Sequence, residues 1–196
     1  RRMAHASQHY QTQVHLHALE TLYQRAFAEK TFGKSTAAVL GENGLLGEHI
    51  SLAHGIYVTP DDIRLIAETR TMIVTNPSSN LRLGSGVLPL DTLRENTISV
   101  ALGMDSMSLF TNDDMLSELA LVQALHRRHE GKQLTPYQTL EMATVHGAKA
   151  TGFEGVGKLL KGYQADIAVI DLGRFHLPYL APEVDVVSMV LAQGKS

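Results

Sequence analysis

Short runs of apolar residues alternate along the chain with stretches of helical spacing. Residues 13–18 alternate strictly, which places Leu16 and Ala18 on one face of a strand and His15 and His17 on the other. Three further apolar runs have the length of strands: residues 49–54, 71–74 and 97–102. Because these runs alternate with helical stretches, the pattern predicts βα units built around a parallel sheet.

Capping residues indicate where several of the helices begin and end. Thr59 precedes Pro60 and Asp62, the arrangement of an N-cap, a first-turn proline and a capping box. Four further helical stretches are predicted: residues 21–40 with an interruption near Gly33, residues 89–95, residues 113–129 and residues 135–146. A loop is expected at residues 76–80, after the third strand.

The last quarter of the chain has a different pattern. Residues 152–162 hold four glycines, and apolar runs at residues 165–171 and 186–191 suggest two strands outside the βα order. We therefore expect two units: a βα unit over residues 1–150 and a small β unit over residues 151–196.

Composition excludes several classes of protein. The 196 residues carry a net charge of −3 and no cysteine, so a disulfide scaffold, a thiolate zinc site and a cysteine nucleophile are excluded. Near-neutral charge argues against nucleic acid or anionic lipid as a partner. No apolar run approaches the roughly 18 residues of a membrane span, and the amino end has no signal-peptide pattern. A cytoplasmic enzyme or binding protein is the expectation.

Candidate chemistry lies where the predicted strands end. His17 and Glu20 follow the first strand, His54 ends the second, and Asp105 follows the fourth. The carboxyl ends of parallel strands meet at one edge, so these side chains can converge, and two imidazoles with two carboxylates suit a divalent metal that activates water. Taken singly, each has a structural alternative: a buried histidine, a turn or cap aspartate, or a first-turn helix acid.

The order of these segments resembles the amidohydrolase superfamily, in particular its deaminase and chlorohydrolase branch. The resemblance is carried by residues 14–20 (VHLHALE), 52–55 (LAHG), 76–86 (NPSSNLRLGSG) and 102–105 (LGMD), and in the tail by residues 157–159 and 162–169. It implies an α/β fold: the carboxy-terminal half of a (β/α)8 TIM-type barrel, strands 5–8, with part of a small flanking β domain.

The resemblance also implies a role for each residue. His17 corresponds to a metal ligand, Glu20 to the acid that protonates a ring nitrogen, and His54 to the histidine beside the attacking water. Asp105 corresponds to a metal ligand and proton acceptor, whereas His15 is a neighbour. One divalent metal, zinc first and iron second, would serve hydrolytic deamination of a small heteroaromatic ring of the purine, pterin or triazine type.

One departure from the family is large. The His-x-His pair of its first barrel strand is not found in this sequence, so only His17 and Asp105 remain as ligands, and the metal is expected to be held weakly or not at all. Two alternatives stay open. One is hydrolytic dechlorination or dealkylamination of a triazine. The other is a catalytically incompetent chain that only assembles with another chain, with self-association expected through exposed sheet edges.

Overall fold

A single parallel sheet forms the centre of the protein. The computed structural model describes residues 2–105, 114–126, 134–172 and 185–193. The strands lie side by side in chain order and are β1 (Val14–Ala18), β2 (Ile50–His54), β3 (Met72–Thr75) and β4 (Val100–Leu102). The predicted alternation of strands and helices is therefore confirmed.

Helices connect the strands and cover the sheet. They are, in chain order, α1 (Arg2–Tyr10), α2 (Leu22–Phe32), α3 (Thr36–Glu42), α4 (Pro60–Glu68), α5 (Pro77–Arg82), α6 (Leu90–Glu95), α7 (Met115–Leu125), α8 (Pro136–Ala143), α9 (Val145–Thr151) and α10 (Val186–Gln193). Within the described ranges, none of them is long and apolar enough to cross a bilayer.

The two faces of the sheet differ in chemistry. Leu52, Ile73 and Val100 belong to the main hydrophobic core, which also holds side chains from α4, α6 and α7. His15 and His17 point to the opposite face, as the alternation in β1 predicts, and are exposed. The strand register continues this second face across the sheet through Ala53, Val74 and Ala101. The sheet thus separates an apolar interior from a face that carries histidines.

Local capping holds the helices against the sheet. The Thr59 capping box forms as predicted, and Asp62 also accepts a hydrogen bond from the backbone N–H of Ala37 at 2.8 Å. Asp62 is fully buried, so this carboxylate ties the start of α3 to the start of α4. Gly33 ends α2 in the left-handed conformation, with φ of +64°, as the interruption in the sequence pattern indicates.

Three predictions of local structure are wrong. The strand predicted at residues 165–171 does not form: Val169 is 91% exposed, and no described strand lies beside it to satisfy its backbone. Residues 186–191 belong instead to α10, because an unbroken apolar run fits a buried helix as well as a strand. The loop expected at residues 76–80 contains the start of α5, whose first position is Pro77.

The proposed division of the chain at residue 150 stays a prediction. Residues 153–171 contain neither helix nor strand, and residues 173–184 and 194–196 lie outside the described part of the chain. The small β unit expected over residues 151–196 therefore has no strand among its described residues.

Candidate active site

Four polar side chains meet at the carboxyl edge of the sheet. His17 and His54 come from the ends of β1 and β2, Asp105 follows β4, and Glu20 follows β1. One ligand atom from each of His17, His54 and Asp105 lies within 4.8 Å of the others. The structure thus brings together all four residues that the sequence singles out, although they span more than eighty positions of the chain.

His54 lies at the centre of this cluster. Its side chain is 0% exposed, and its Nδ1 is 2.7 Å from Oδ1 of Asn80. Because an amide oxygen only accepts hydrogen bonds, Nδ1 carries the ring proton and donates a hydrogen bond to Oδ1 of Asn80. The other ring nitrogen, Nε2, then faces the site, 3.4 Å from Nδ1 of His17 and 3.8 Å and 3.9 Å from the carboxylates of Glu20 and Asp105.

Asp105 has two carboxylate oxygens in different surroundings. Oδ2 accepts a hydrogen bond from the hydroxyl of Ser79 at 2.6 Å. Oδ1 is 4.0 Å from Nε2 of His17. Since Ser79 is fully buried, its hydroxyl fixes the orientation of the carboxylate and leaves Oδ1 turned towards the open side of the cluster.

Glu20 lies at the rim of the cluster. Its carboxylate is 18% exposed and reaches Nε2 of His54 with one oxygen, while Oε1 accepts a long hydrogen bond of 3.5 Å from the hydroxyl of Ser85. The backbone N–H of Glu20 donates to the side chain of Gln24 in α2. Glu20 is therefore held from both ends, yet keeps access to solvent.

The backbone at these strand ends adopts an unusual conformation. Leu19, His54 and Asp105 have φ of +57°, +76° and +65°, in the left-handed region that costs roughly 1–2 kcal/mol for a residue with a Cβ. Side chains no longer alternate in this conformation, so His54 leaves the apolar face that Leu52 occupies. Strained residues of this kind cluster at functional sites, where the surrounding structure maintains them.

His15 lies beside the cluster and is not part of it, as the sequence analysis expects. Its Nδ1 contacts the hydroxyl of Ser51 at 2.8 Å. Burial, followed by the neighbouring His17 and His54, lowers the pKa of His15 below its ordinary value. His15 is therefore a neighbour of His17 whose uncharged form is favoured by its surroundings.

The donor set fits a divalent metal ion. Two imidazoles and a carboxylate are the ligand types that zinc takes in hydrolytic sites, at about 2.0–2.2 Å. His17 is 53% exposed, so the open side of the cluster is reachable from solvent. The fixed Nδ1 proton of His54 and the Ser79 bond to Asp105 are the outer contacts that typically orient such ligands.

Sequence reasoning assigned no role to the residues that support the cluster. Ser79 and Asn80 lie in the segment that carries the family resemblance, but their contacts to Asp105 and His54 join residues 26 positions apart. Glu118, a buried carboxylate in α7, contacts the start of α5. A charged residue in a mostly apolar helical run was the available signal for Glu118.

The chain is similar in sequence and structure to several known deaminases. A curated 5-methylthioadenosine/S-adenosylhomocysteine deaminase from Acetivibrio thermocellus is 34% identical over 202 residues, covering 100% of this chain and 46% of that protein. An adenosine deaminase from Xanthomonas campestris, solved with bound zinc, superposes with a TM-score of 0.86 at 30% identity and covers 97% of this chain and 43% of that one. Guanine deaminase from E. coli has a TM-score of 0.83 at 25% identity and covers 98% and 47%.

The chain spans a little under half the length of these relatives. The sequence model of the amidohydrolase family, in contrast, matches residues 1–195. The match includes all four strand ends described above, and the relatives are deaminases by the names they carry, one of them solved with bound zinc. The chain belongs to the amidohydrolase family.

Proposed function

We propose that the chain carries the catalytic edge of a metal-dependent deaminase that hydrolyses the exocyclic amine of an adenosine-type purine. The single observation behind this proposal is the convergence of His17, His54 and Asp105 within 4.8 Å, with Glu20 beside them. In the reaction, water replaces the amino group at an amidine-like ring carbon, and ammonia and the corresponding ring carbonyl are the products.

His17 and Asp105 would hold a divalent metal, with zinc as the first choice because the similar Xanthomonas protein contains it. Bound there, the metal supplies Lewis acidity and lowers the pKa of water towards neutrality. Asp105 is suited to this position because Ser79 occupies Oδ2 and leaves Oδ1 free.

Three side chains orient the attacking water and move the protons of the reaction. Asp105 accepts the proton of the attacking water, and Glu20, at the solvent-accessible rim, gives a proton to the ring nitrogen. His54 orients the attacking water by accepting a hydrogen bond from it at Nε2, because Asn80 fixes the ring proton on Nδ1.

The substrate class rests on the relatives. Two of the similar proteins are deaminases of adenosine or its thioether derivatives, and a third acts on guanine. All of these substrates present an amine on a carbon next to a ring nitrogen, which matches a donor at Glu20 paired with water activation at Asp105. Displacement of chloride or an alkylamine from a triazine uses the same groups and is the alternative within hydrolysis.

We also propose a place for the chain in a larger barrel. The parallel order of β1 to β4, with the cluster at their carboxyl ends, matches four consecutive strands of a (β/α)8 barrel, taken here as strands 5–8. The His-bearing face of the sheet would then line the barrel interior. Residues 151–196 would lead into the small β domain.

Zinc content and product formation test the proposal together. The purified chain is loaded with zinc, dialysed and analysed for metal, beside His17→Ala, Asp105→Asn and, as a control, His9→Ala on exposed α1. Because the structure places His54 as a third donor within 4.8 Å of the two ligands expected from the sequence, we expect zinc in the parent chain and in the control, and its loss from the other two variants. Ammonia release is then followed with adenosine, 5-methylthioadenosine, guanine and atrazine, and adenosine-type compounds are expected to react.

A parent chain without zinc, or zinc that persists in both ligand variants, would overturn the proposed metal centre. Chloride release from atrazine without ammonia release from purines would favour the triazine alternative. Zinc binding without any product would favour the second candidate function, assembly with another copy. That candidate has a specific observation behind it: within the described part of the chain, β1 pairs only with β2 and leaves its outer edge open.

A further inference from the structure

A buried carboxylate outside the cluster is connected to it by one short helix. Glu118 lies in α7 and is 7% exposed, and its Oε2 accepts a hydrogen bond of 3.2 Å from the backbone N–H of Ser78. Ser78 is in the first turn of α5, directly before the two residues that contact Asp105 and His54.

The first turn of α5 lacks an ordinary cap. Its N-cap residue, Asn76, makes no side-chain capping bond among the described contacts, and Pro77 has no N–H to donate. The N–H of Ser78 is therefore the first amide of the helix that needs an acceptor. Glu118 supplies it from a different helix, 40 positions away in the chain.

Electrostatics are consistent with such a contact. Burial raises the pKa of Glu118, while the bond from Ser78 works in the opposite direction. A carboxylate at the positive end of a helix is favourable. No described ion pair involves Glu118, so the start of α5 is the partner the structure gives this group.

Helix α5 transmits this contact to the site. From the same turn, Ser79 donates to Oδ2 of Asp105 at 2.6 Å and Asn80 accepts from Nδ1 of His54 at 2.7 Å. Any movement of the first turn of α5 changes both distances together. Glu118 therefore acts on two site residues at once without touching either.

We propose that Glu118 is a positioning residue: its carboxylate holds the first turn of α5 and thereby sets the orientation of Asp105 and His54. This role rests on the proposed function, because the orientation of Asp105 and His54 matters only if they serve the metal centre and the attacking water. The hydrogen bond accepted from the Ser78 N–H is what holds the helix turn. A side chain that keeps an acceptor oxygen at position 118 therefore keeps the orientation of Asp105 and His54.

Three variants separate this role from ordinary stability. Glu118→Ala removes the acceptor, and Glu118→Gln keeps an oxygen of the same shape. Val122→Ala serves as the control, because Val122 is also buried in α7 and is not among the residues that contact α5 by hydrogen bonds. Unfolding curves of all three variants establish how much stability each has lost.

The first measurement requires no metal. Hydrogen exchange of the amides in residues 78–83 and the NMR signal of the His54 Nδ1 proton are recorded in the metal-free chain. Glu118→Ala is expected to speed exchange in this segment and to broaden or shift the His54 signal, whereas Glu118→Gln and Val122→Ala leave both as in the parent chain. Unchanged exchange and an unchanged signal in Glu118→Ala would overturn the inference.

The second measurement is zinc affinity by competition with a chromophoric chelator. Glu118→Ala is expected to weaken binding about tenfold, at the lower end of the effect of outer contacts on a metal site. Recovery by Glu118→Gln is expected, and an equal loss in that variant, or in Val122→Ala, contradicts the positioning role. A parent chain that binds no zinc refutes the proposed function alone, since the metal-free measurement still decides the role of Glu118.

Discussion

Gly103, between β4 and Asp105, has no room for a side chain. A Cβ placed on it would lie 2.5 Å from Oδ1 of Asn76 and 3.0 Å from Cγ1 of Val74. The φ of Gly103 is not in the left-handed region, so the backbone itself accepts alanine. Gly103→Ala therefore tests steric crowding alone, at a point where β3, β4 and the start of α5 meet.

The contact distances set the size of the effect. Relaxed contacts lie at about 3.5 Å, so Asn76 must move by about 1 Å, and overpacking of this kind costs about 1–3 kcal/mol. Asn76 is buried, and its backbone carbonyl, as distinct from the crowded side-chain Oδ1, accepts the N–H of Asn80, so a shift that reaches the Asn76 backbone also disturbs the residue that fixes His54. We expect a lower free energy of unfolding together with weaker zinc binding.

Gly147 provides the matched control, because the same glycine-to-alanine change there is expected to raise the free energy of unfolding. It lies in helix α9, and a Cβ on it would meet nothing closer than a backbone oxygen at 3.8 Å. Alanine in a helix interior is about 1 kcal/mol more favourable than glycine, so Gly147→Ala is expected to stabilise the chain.

Urea unfolding followed by circular dichroism gives the free energy of unfolding of both variants. The dependence of this free energy on urea concentration should be the same in both. A difference of about 2–4 kcal/mol between Gly103→Ala and Gly147→Ala is expected. In a thermal scan each kcal/mol corresponds to about 2–4 °C for a chain of this size. A Gly103→Ala protein as stable as the parent chain, with unchanged zinc affinity, would refute the steric reasoning.

Four further predictions follow from the site and the sheet. Ser79→Ala should weaken zinc binding about 10–100-fold, whereas Ser51→Ala, an equally buried serine that contacts His15, should leave it unchanged; chelator competition compares them. Glu20→Gln should lose ammonia release and keep zinc, and loss of zinc instead makes Glu20 a ligand. Burial raises the pKa of Glu118 from its ordinary 4.5. The folded chain therefore holds this proton more tightly than the unfolded chain, and the resulting stability is complete below pH 4.5 and is lost as pH rises through the folded-state pKa. The stability of Glu118→Gln relative to the parent chain should therefore increase from pH 4 to 7 in urea titrations. The open edge of β1 should cause self-association, visible in sedimentation as species larger than 21.4 kDa, and a monomer at all concentrations argues against it.

Local sequence signals were sufficient for most of the sheet. Alternation in β1, the capping box at Thr59 and the break at Gly33 each depend on residues within a few positions of one another, and all three are confirmed. Convergence of the four candidate residues also followed from a simple rule, that parallel strands end at the same edge. Their chemical roles stay predictions.

Contacts between distant residues were not accessible in the same way. Ser79, Asn80 and Glu118 act through hydrogen bonds that exist only once α5 has packed against the strand ends and against α7. The misassigned segments have a related cause. An apolar run such as residues 186–191 becomes helix or strand according to its neighbours, and residues 165–171 have no described neighbour with which to pair.

The left-handed backbone at Leu19, His54 and Asp105 has a consequence for the order in which the protein forms and opens. His54 and Asp105 are held in this strained conformation by hydrogen bonds to α5, and the carbonyl of Leu19 accepts the backbone N–H of Tyr57. The strand interiors can therefore assemble first, and the edge with the candidate site forms last, when the surrounding helices are in place. In native-state hydrogen exchange the strand ends should open at a lower free energy than the strand interiors, so loss of the site should precede loss of the fold.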